Sequence, residues 1–462
     1  MNLGASIKAL TRSLCAFPTG VVAPANEPLF ARLRAEIPLA LHRYASGGEH
    51  NGWLVPDSWS VERALVTRDG LPVADCAAHP LGVAAYSTSF TGELSLDELL
   101  AHVVSRPDLP DAIPYHCMWQ YRPWDADWAL CVPHAQVETW RPGRYRVDLV
   151  TRRQQGEMLV AVADKRGVSD RTIVLNAHTC HPVMANDDMA GVAVLVRLFQ
   201  RLLERETFYS YRLVLGPEHL GTIFYLAGLS RAERERLVCG LFLDMPGTDG
   251  PLTIASTFLG GQPLDLALAN AARHGAAAFR PVSWRQGAGN DETVWEAPGY
   301  EVPFAEVSRA HSLFEPFREY HTSLDTPDLM DEGQLEETLL VLDAALDALE
   351  RDAVPMRRFD GLPCLSSPRY RLYRERPDPS VDKGLVADDE AWGVLADSLP
   401  RYLDGSLSLL EIAERHGLPF AAVRRELERW EERRLVDLVP RVVERQPVTL
   451  AAEDWEEAVR GG

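Results

Sequence analysis

The 462-residue chain has no CxxC pair among its seven cysteines, no uninterrupted apolar stretch long enough to span a bilayer, no internal repeat and no low-complexity tract. Each absence excludes something. Scattered cysteines in odd number predict reduced thiols rather than a disulfide framework or a zinc ribbon. Without a spanning run there is no membrane expectation. The first twenty residues carry two early basic side chains but only short apolar patches, which predicts an amphipathic helix rather than a signal peptide, hence a cytoplasmic protein. A formal charge of -20 leaves nucleic acid a poor partner, since neutralising phosphates takes clustered Lys and Arg. What remains is an ordinary globular composition of 46% hydrophobic and 25% charged residues, on a chain long enough for two to four domains.

Helical spacing dominates up to about Trp53, notably in LFARLRAEIPLALHRY, and breaks at Ser46–Gly48. From Pro56 to about Pro142, short alternating runs and turns at Asp69-Gly70 and Pro80 predict a small β-rich unit. Its Trp119, Trp124 and Trp128 would form its core or cap a site, and Trp53 and Trp59 flank its entry. From Tyr145 the runs RYRVDLV, EMLVAVA and TIVLNAH lead into the helix-like AGVAVLVRLFQRLLE, and the strand-like YRLVLG and GLFLDM follow. Such alternation predicts an α/β fold with a mixed, mostly parallel sheet flanked by helices, whose reactive groups gather at the carboxyl ends of strands. The long helical pattern GQLEETLLVLDAALDALERD leads to a Pro- and Arg-rich connector. Three helices and short strands, LVDLVP and PVTLAA, then come in the order of a winged helix-turn-helix. The expected division is 1–55 and 143–355 for the main body, 56–142 for the β-rich insertion, 356–384 for the connector and 385–455 for the winged-helix-like unit.

Polar clusters sit at or near the ends of the strand-like runs. His178 closes one strand, and Asp187 and Asp188 open the following helix; neutral imidazole and carboxylate are both zinc ligands. Glu218 and His219 follow the next strand, a pairing that suits a carboxylate taking a proton beside a metal ligand. Asp244 ends a very apolar strand, where an unpaired carboxylate would be costly. His321, with Asp325 close behind, lies in a polar turn, and Asp291 follows a glycine-rich one. Each cluster alone has a bland explanation in a cap, a turn or a hydrogen-bonded histidine; their joint order does not.

That order resembles the co-catalytic zinc aminopeptidase superfamily. The motifs GWLVPDSWSVERALV, HTCHP, NDDMAG, PEHLGT, GNDETVWEAPG, EYHTSLD and LYRER are similar to those of bacterial aminopeptidase-like proteins with an inserted β domain and a C-terminal winged helix. The resemblance spans nearly the whole chain. It implies one zinc ion held by His178, Asp187 and Asp244, and a second held by Asp187, His219 and His321, about 3.5–4 Å away. Glu218 would be the general base in cleavage of an amide bond in a small peptide or aminoacylated metabolite. Two positions depart from the superfamily pattern: His219 stands where a second glutamate is usual, and Cys180 where an aspartate is. The metal count is therefore one or two, and Cys180, His181, Asp188 and Asp291 are further candidate ligands or supports for ligands.

Two other readings compete. A deacylase of an N-acyl amino acid or amino sugar would use the same water. A regulator would bind DNA through the winged helix, but residues 388–445 hold 13 acidic against 9 basic side chains, so a packing or oligomer-forming role is expected there.

Overall fold

The computed structural model describes residues 2–312, 316–373, 387–445 and 447–449. Part of the connector (374–384), the first two residues of the expected winged-helix-like unit (385–386), the end of the LYRER motif and the end of the expected second wing strand (450–452) lie outside the described residues.

An eight-stranded sheet runs in the spatial order Ala40–Ala45, Glu157–Lys165, Ser210–Gly216, Thr172–His178, Leu237–Leu243, Phe304–Ser308, Leu252–Ala255 and Phe279–Val282. Its four central strands, from Ser210–Gly216 to Phe304–Ser308, are mutually parallel, while antiparallel pairs bring in the flanking strands, so the sheet is mixed. The strands Thr172–His178 and Leu237–Leu243 are buried throughout, and this is why TIVLNAH and LVCGLFL read as near-continuous apolar runs. Period-two alternation splits their side chains between two cores. Leu175, Leu213, Leu241 and Val307 face the helices Leu3–Leu14, Ala190–Leu203 and Glu332–Arg351. Val174, Val214, Phe242 and Phe304 face the helix Leu220–Gly228 and Trp295.

Two segments fold otherwise than their spacing suggests. Residues 40–45 form not a helix but the antiparallel edge strand against Glu157–Lys165, because Pro38 halts the helical pattern. The strand Arg144–Gln154, expected in the main sheet, is instead a central strand of a separate four-stranded sheet, between Ser58–Arg68 and Phe90–Ser95. Its Tyr145, Val147 and Leu149 enter that sheet's own core with Trp128 and Trp140. The smaller sheet therefore takes in chain up to residue 154. Within it Trp128 packs between Phe90 and His102, with ring centroids 4.5 and 4.1 Å away, and Trp59 stacks on Tyr86.

Three helices, Ala387–Tyr402, Leu409–His416 and Phe420–Glu432, follow the main body. They share the hydrophobic core of the main body through Leu395, Ile412, Leu427 and Trp430. The strand that follows, Val436–Pro440, pairs with Ala353–Arg357.

Candidate metal centre

Three adjacent parallel strands deliver the first groups. His178 is the last residue of Thr172–His178, Glu218 follows Ser210–Gly216 by two residues, and Asp244 comes directly after Leu237–Leu243. Parallel pairing puts all three at one carboxyl edge. Asp187 arrives from the irregular turn before the helix Ala190–Leu203, and His321 from the loop beyond Phe304–Ser308.

Asp187 is the hub. Its Oδ1 lies 3.0 Å from His178 Nε2 and 2.8 Å from His181 Nδ1, and its Oδ2 lies 3.2 Å from His321 Nε2. His178 Nε2 is also 3.5 Å from Asp244 Oδ1. Three sets of closely spaced donor atoms result among the described residues: His178 with Asp187 and Asp244, His181 with Asp187 and His321, and His178 with Cys180 and His181. Although these atoms crowd together, His178 Nε2, Asp187 Oδ2, Asp244 Oδ1 and His321 Nε2 are buried without a hydrogen-bond partner among the described residues. Buried polar atoms are normally satisfied, and lone pairs that converge without pairing are the arrangement a cation completes. The donor set of imidazole, carboxylate and thiol suits zinc.

His219, expected as a ligand, is in none of these sets, and His181 occupies the place beside Asp187 and His321 instead. The local backbone explains the exchange. The Asp291 carboxylate accepts the His219 N–H at 2.5 Å and the Thr222 hydroxyl, anchoring the turn, while the His219 side chain lines the neighbouring cavity. The HTCHP segment, by contrast, turns back over the strand ends and buries His181. Asp291 is thus a support for that turn. Asp188 likewise points away from the donor sets, accepting the backbone N–H groups of His178, Gly191 and Met245. Cys180 lies 3.8 Å from His178 Nδ1, and its sulfur accepts the Glu218 N–H.

Glu218 Oε1 accepts from Tyr121 and lies 3.3 Å from His181 Nε2, while its Oε2 accepts from Asn290 at 2.9 Å. Burial would raise its pKa, but the neighbouring His181, His178 and His219 overcome that and hold it well below the usual carboxylate range. Burial acts the same way on Asp187, and His181, His178 and His321 reverse it. His178 is pushed down by burial and by His181, yet Asp187 and Asp244 keep it well above an ordinary imidazole.

Sequence reasoning missed Tyr121 and Asn290 as parts of this centre, and it noted Asp325 beside His321 without giving it a role. Asp325 accepts the backbone N–H groups of Asn186 and Asp187 at 2.7 and 3.0 Å, fixing the hub. Asn290 neighbours Asp291 within GNDETVW, so that motif carried its signal. Tyr121 comes from the smaller unit, 97 residues before Glu218, where no spacing rule reaches. The same unit buttresses the His321 loop, since Tyr115 N–H donates to the His321 carbonyl at 2.8 Å and Ile113 N–H to Ser323 Oγ at 2.9 Å.

A family model described as "Domain of unknown function (DUF4910)" matches residues 11–352. The chain belongs to the DUF4910 family. The match ends just after the helix Glu332–Arg351, so the DUF4910 region contains every residue of the centre and stops before the three C-terminal helices. A Clostridium acetobutylicum protein named for polysaccharide biosynthesis and an aminopeptidase-like domain is 25% identical over 399 residues, covering 85% of this chain and 87% of that protein. A crystal structure from C. acetobutylicum, titled as a peptidase, superposes with a TM-score of 0.80 at 23% identity, covering 94% of this chain and 96% of the other. The zinc aminopeptidase of Bacillus subtilis superposes with a TM-score of 0.55 at 14% identity, covering 74% and 93%. The fold of this chain is thereby similar to that of the zinc aminopeptidases. Among the described residues no helix is long and apolar enough to cross a membrane.

Proposed function

We propose that this protein is a metal-dependent hydrolase of the aminopeptidase type, cleaving an amide bond in a small peptide or aminoacylated metabolite. The observation that carries the reading is Asp187 shared between two three-residue donor sets, with the Glu218 carboxylate beside them and in neither. His178, Asp187 and Asp244 would hold one zinc ion, and His181, Asp187 and His321 a second. When bound, zinc lowers the pKa of a water and polarises the amide carbonyl.

The chain's own groups do the rest. Glu218 accepts the proton of the attacking water and returns it to the leaving amine nitrogen, one carboxylate serving as base and then as acid. Tyr121 and Asn290 hold its two oxygens in place. Asp325 and Asp188 tie down the backbone around Asp187, so that the hub keeps its orientation. A deacylase of an N-acyl amino acid or amino sugar would use the same groups, and the relative named for polysaccharide biosynthesis favours the amino-sugar form of that reading.

The test is metal analysis of the purified protein followed by assay on dipeptides and N-acyl compounds. Glu218→Gln is expected to retain the metal and to lose about 100-fold or more in kcat. Retention of full activity in that variant, or a wild-type protein that takes up no zinc, would overturn the proposal.

A further inference from the structure

A cavity of about 600 Å³ opens beside the centre, and its walls come from both units of the protein. Glu218, His219, Asp244, Asn290 and His321 form its floor. The segment that supplies Tyr121 to Glu218 continues into this cavity with Arg122 and Trp124, and Trp53 lines it from the hairpin Glu49–Leu54 of the main body. Three large apolar side chains here are solvent-exposed: Trp53 at 37%, Met118 at 50% and Trp124 at 66%. Exposed singly, such residues need no explanation, but gathered around one cavity they form a surface for a flat or apolar group.

The charge of the wall is one-sided. Among the described residues its only carboxylates are Glu218 and Asp244, both committed to the centre. Arg122 is exposed, and neither a hydrogen bond nor an ion pair engages its guanidinium among the described residues. On a chain with a net charge of -20, an uncommitted guanidinium at a cavity wall marks a place for an anion. Position adds to this, because Arg122 directly follows the residue hydrogen-bonded to the Glu218 carboxylate.

We infer that this cavity selects amides that end in a free carboxylate and carry a flat or bulky apolar side chain, such as an N-acyl amino acid or a dipeptide. Arg122 receives the carboxylate, and Trp53, Met118 and Trp124 receive the side chain. Turnover of these compounds rests on the hydrolase reading, whereas their binding does not.

The experiment therefore measures binding, on the full-length protein treated with chelator. N-acetyl-L-phenylalanine, N-acetyl-L-phenylalaninamide and N-acetyl-L-alanine are titrated by calorimetry into wild type, Arg122→Gln and Trp124→Ala. Wild type is expected to bind the acid about fivefold more tightly than the amide, the size of one exposed charge-assisted contact, and to prefer phenylalanine to alanine. Arg122→Gln should bring the acid-to-amide ratio close to one. Trp124→Ala should weaken both phenylalanine compounds while leaving that ratio intact. No discrimination between acid and amide by wild type, or discrimination that survives Arg122→Gln, overturns the inference. A protein that binds as expected but hydrolyses no amide when zinc is restored sinks the hydrolase reading alone.

Discussion

Glu306 stands in the strand Phe304–Ser308, fully buried, accepting the N–H groups of Ala288 and Gly289 at 3.1 and 3.2 Å. Burial, and then the nearby Glu292, push its pKa up to about 7 from an ordinary 4.5. A carboxyl group that holds its proton more tightly folded than unfolded stabilises the fold fully below the unfolded value, and that contribution is lost as pH rises through the folded one. Chelator-treated protein is therefore expected to lose on the order of 2–3 kcal/mol between about pH 4.5 and pH 7 from this group, seen as a falling denaturation midpoint. Glu306→Gln should flatten that slope, and a variant with the wild-type slope would refute the assignment. At this scale His178, Asp187, Glu218, Asp244 and His321 were legible, because each follows a recognisable strand or turn. His181 was read as a further candidate ligand or support and not placed beside Asp187 and His321, because one-dimensional spacing cannot say that two histidines three residues apart both turn inward.

The strand Leu237–Leu243 carries the approach to Asp244, and Gly240 lets it pass between its neighbours. A Cβ at that position would stand 2.2 Å from the Phe304 ring and 2.7 Å from the Val174 carbonyl. The ring cannot retreat easily, since it stacks on Trp295 with centroids 4.8 Å apart. Gly240→Ala is thus expected to destabilise the protein by about 2–3 kcal/mol through overpacking, measured by urea denaturation. A neutral substitution would mean that the sheet yields there. The buried strands were readable at this scale from their apolar runs. Arg144–Gln154 was readable as a strand but not as a member of the smaller sheet, because alternation states which face is buried and not which partner covers it.

At the scale of the whole molecule, the C-terminal helices and the body share one core, and buried polar contacts lock them together. Asn270, in the helix Pro263–Gly275, donates to the Leu418 carbonyl at 3.0 Å and accepts the Phe420 N–H at 2.8 Å. Asp352 accepts the Leu410 N–H at 3.0 Å. Asn270→Ala strands two backbone groups at this junction and is expected to cost about 2 kcal/mol or more, within a single unfolding transition. Two separate transitions, with the helices melting first, would show that they are only loosely attached. The chain's order of motifs determined by itself the α/β class and most of the groups around the centre, since strand ends and helix starts are local consequences of residue pattern. Only the folded arrangement decided that His181 joins Asp187 and His321, that Tyr121 reaches Glu218 across 97 residues, and that Arg122 and the tryptophans wall the cavity. The last two arise between units that fold on separate cores, and how two such cores dock is settled by the shape of their packed surfaces, which no local pattern encodes.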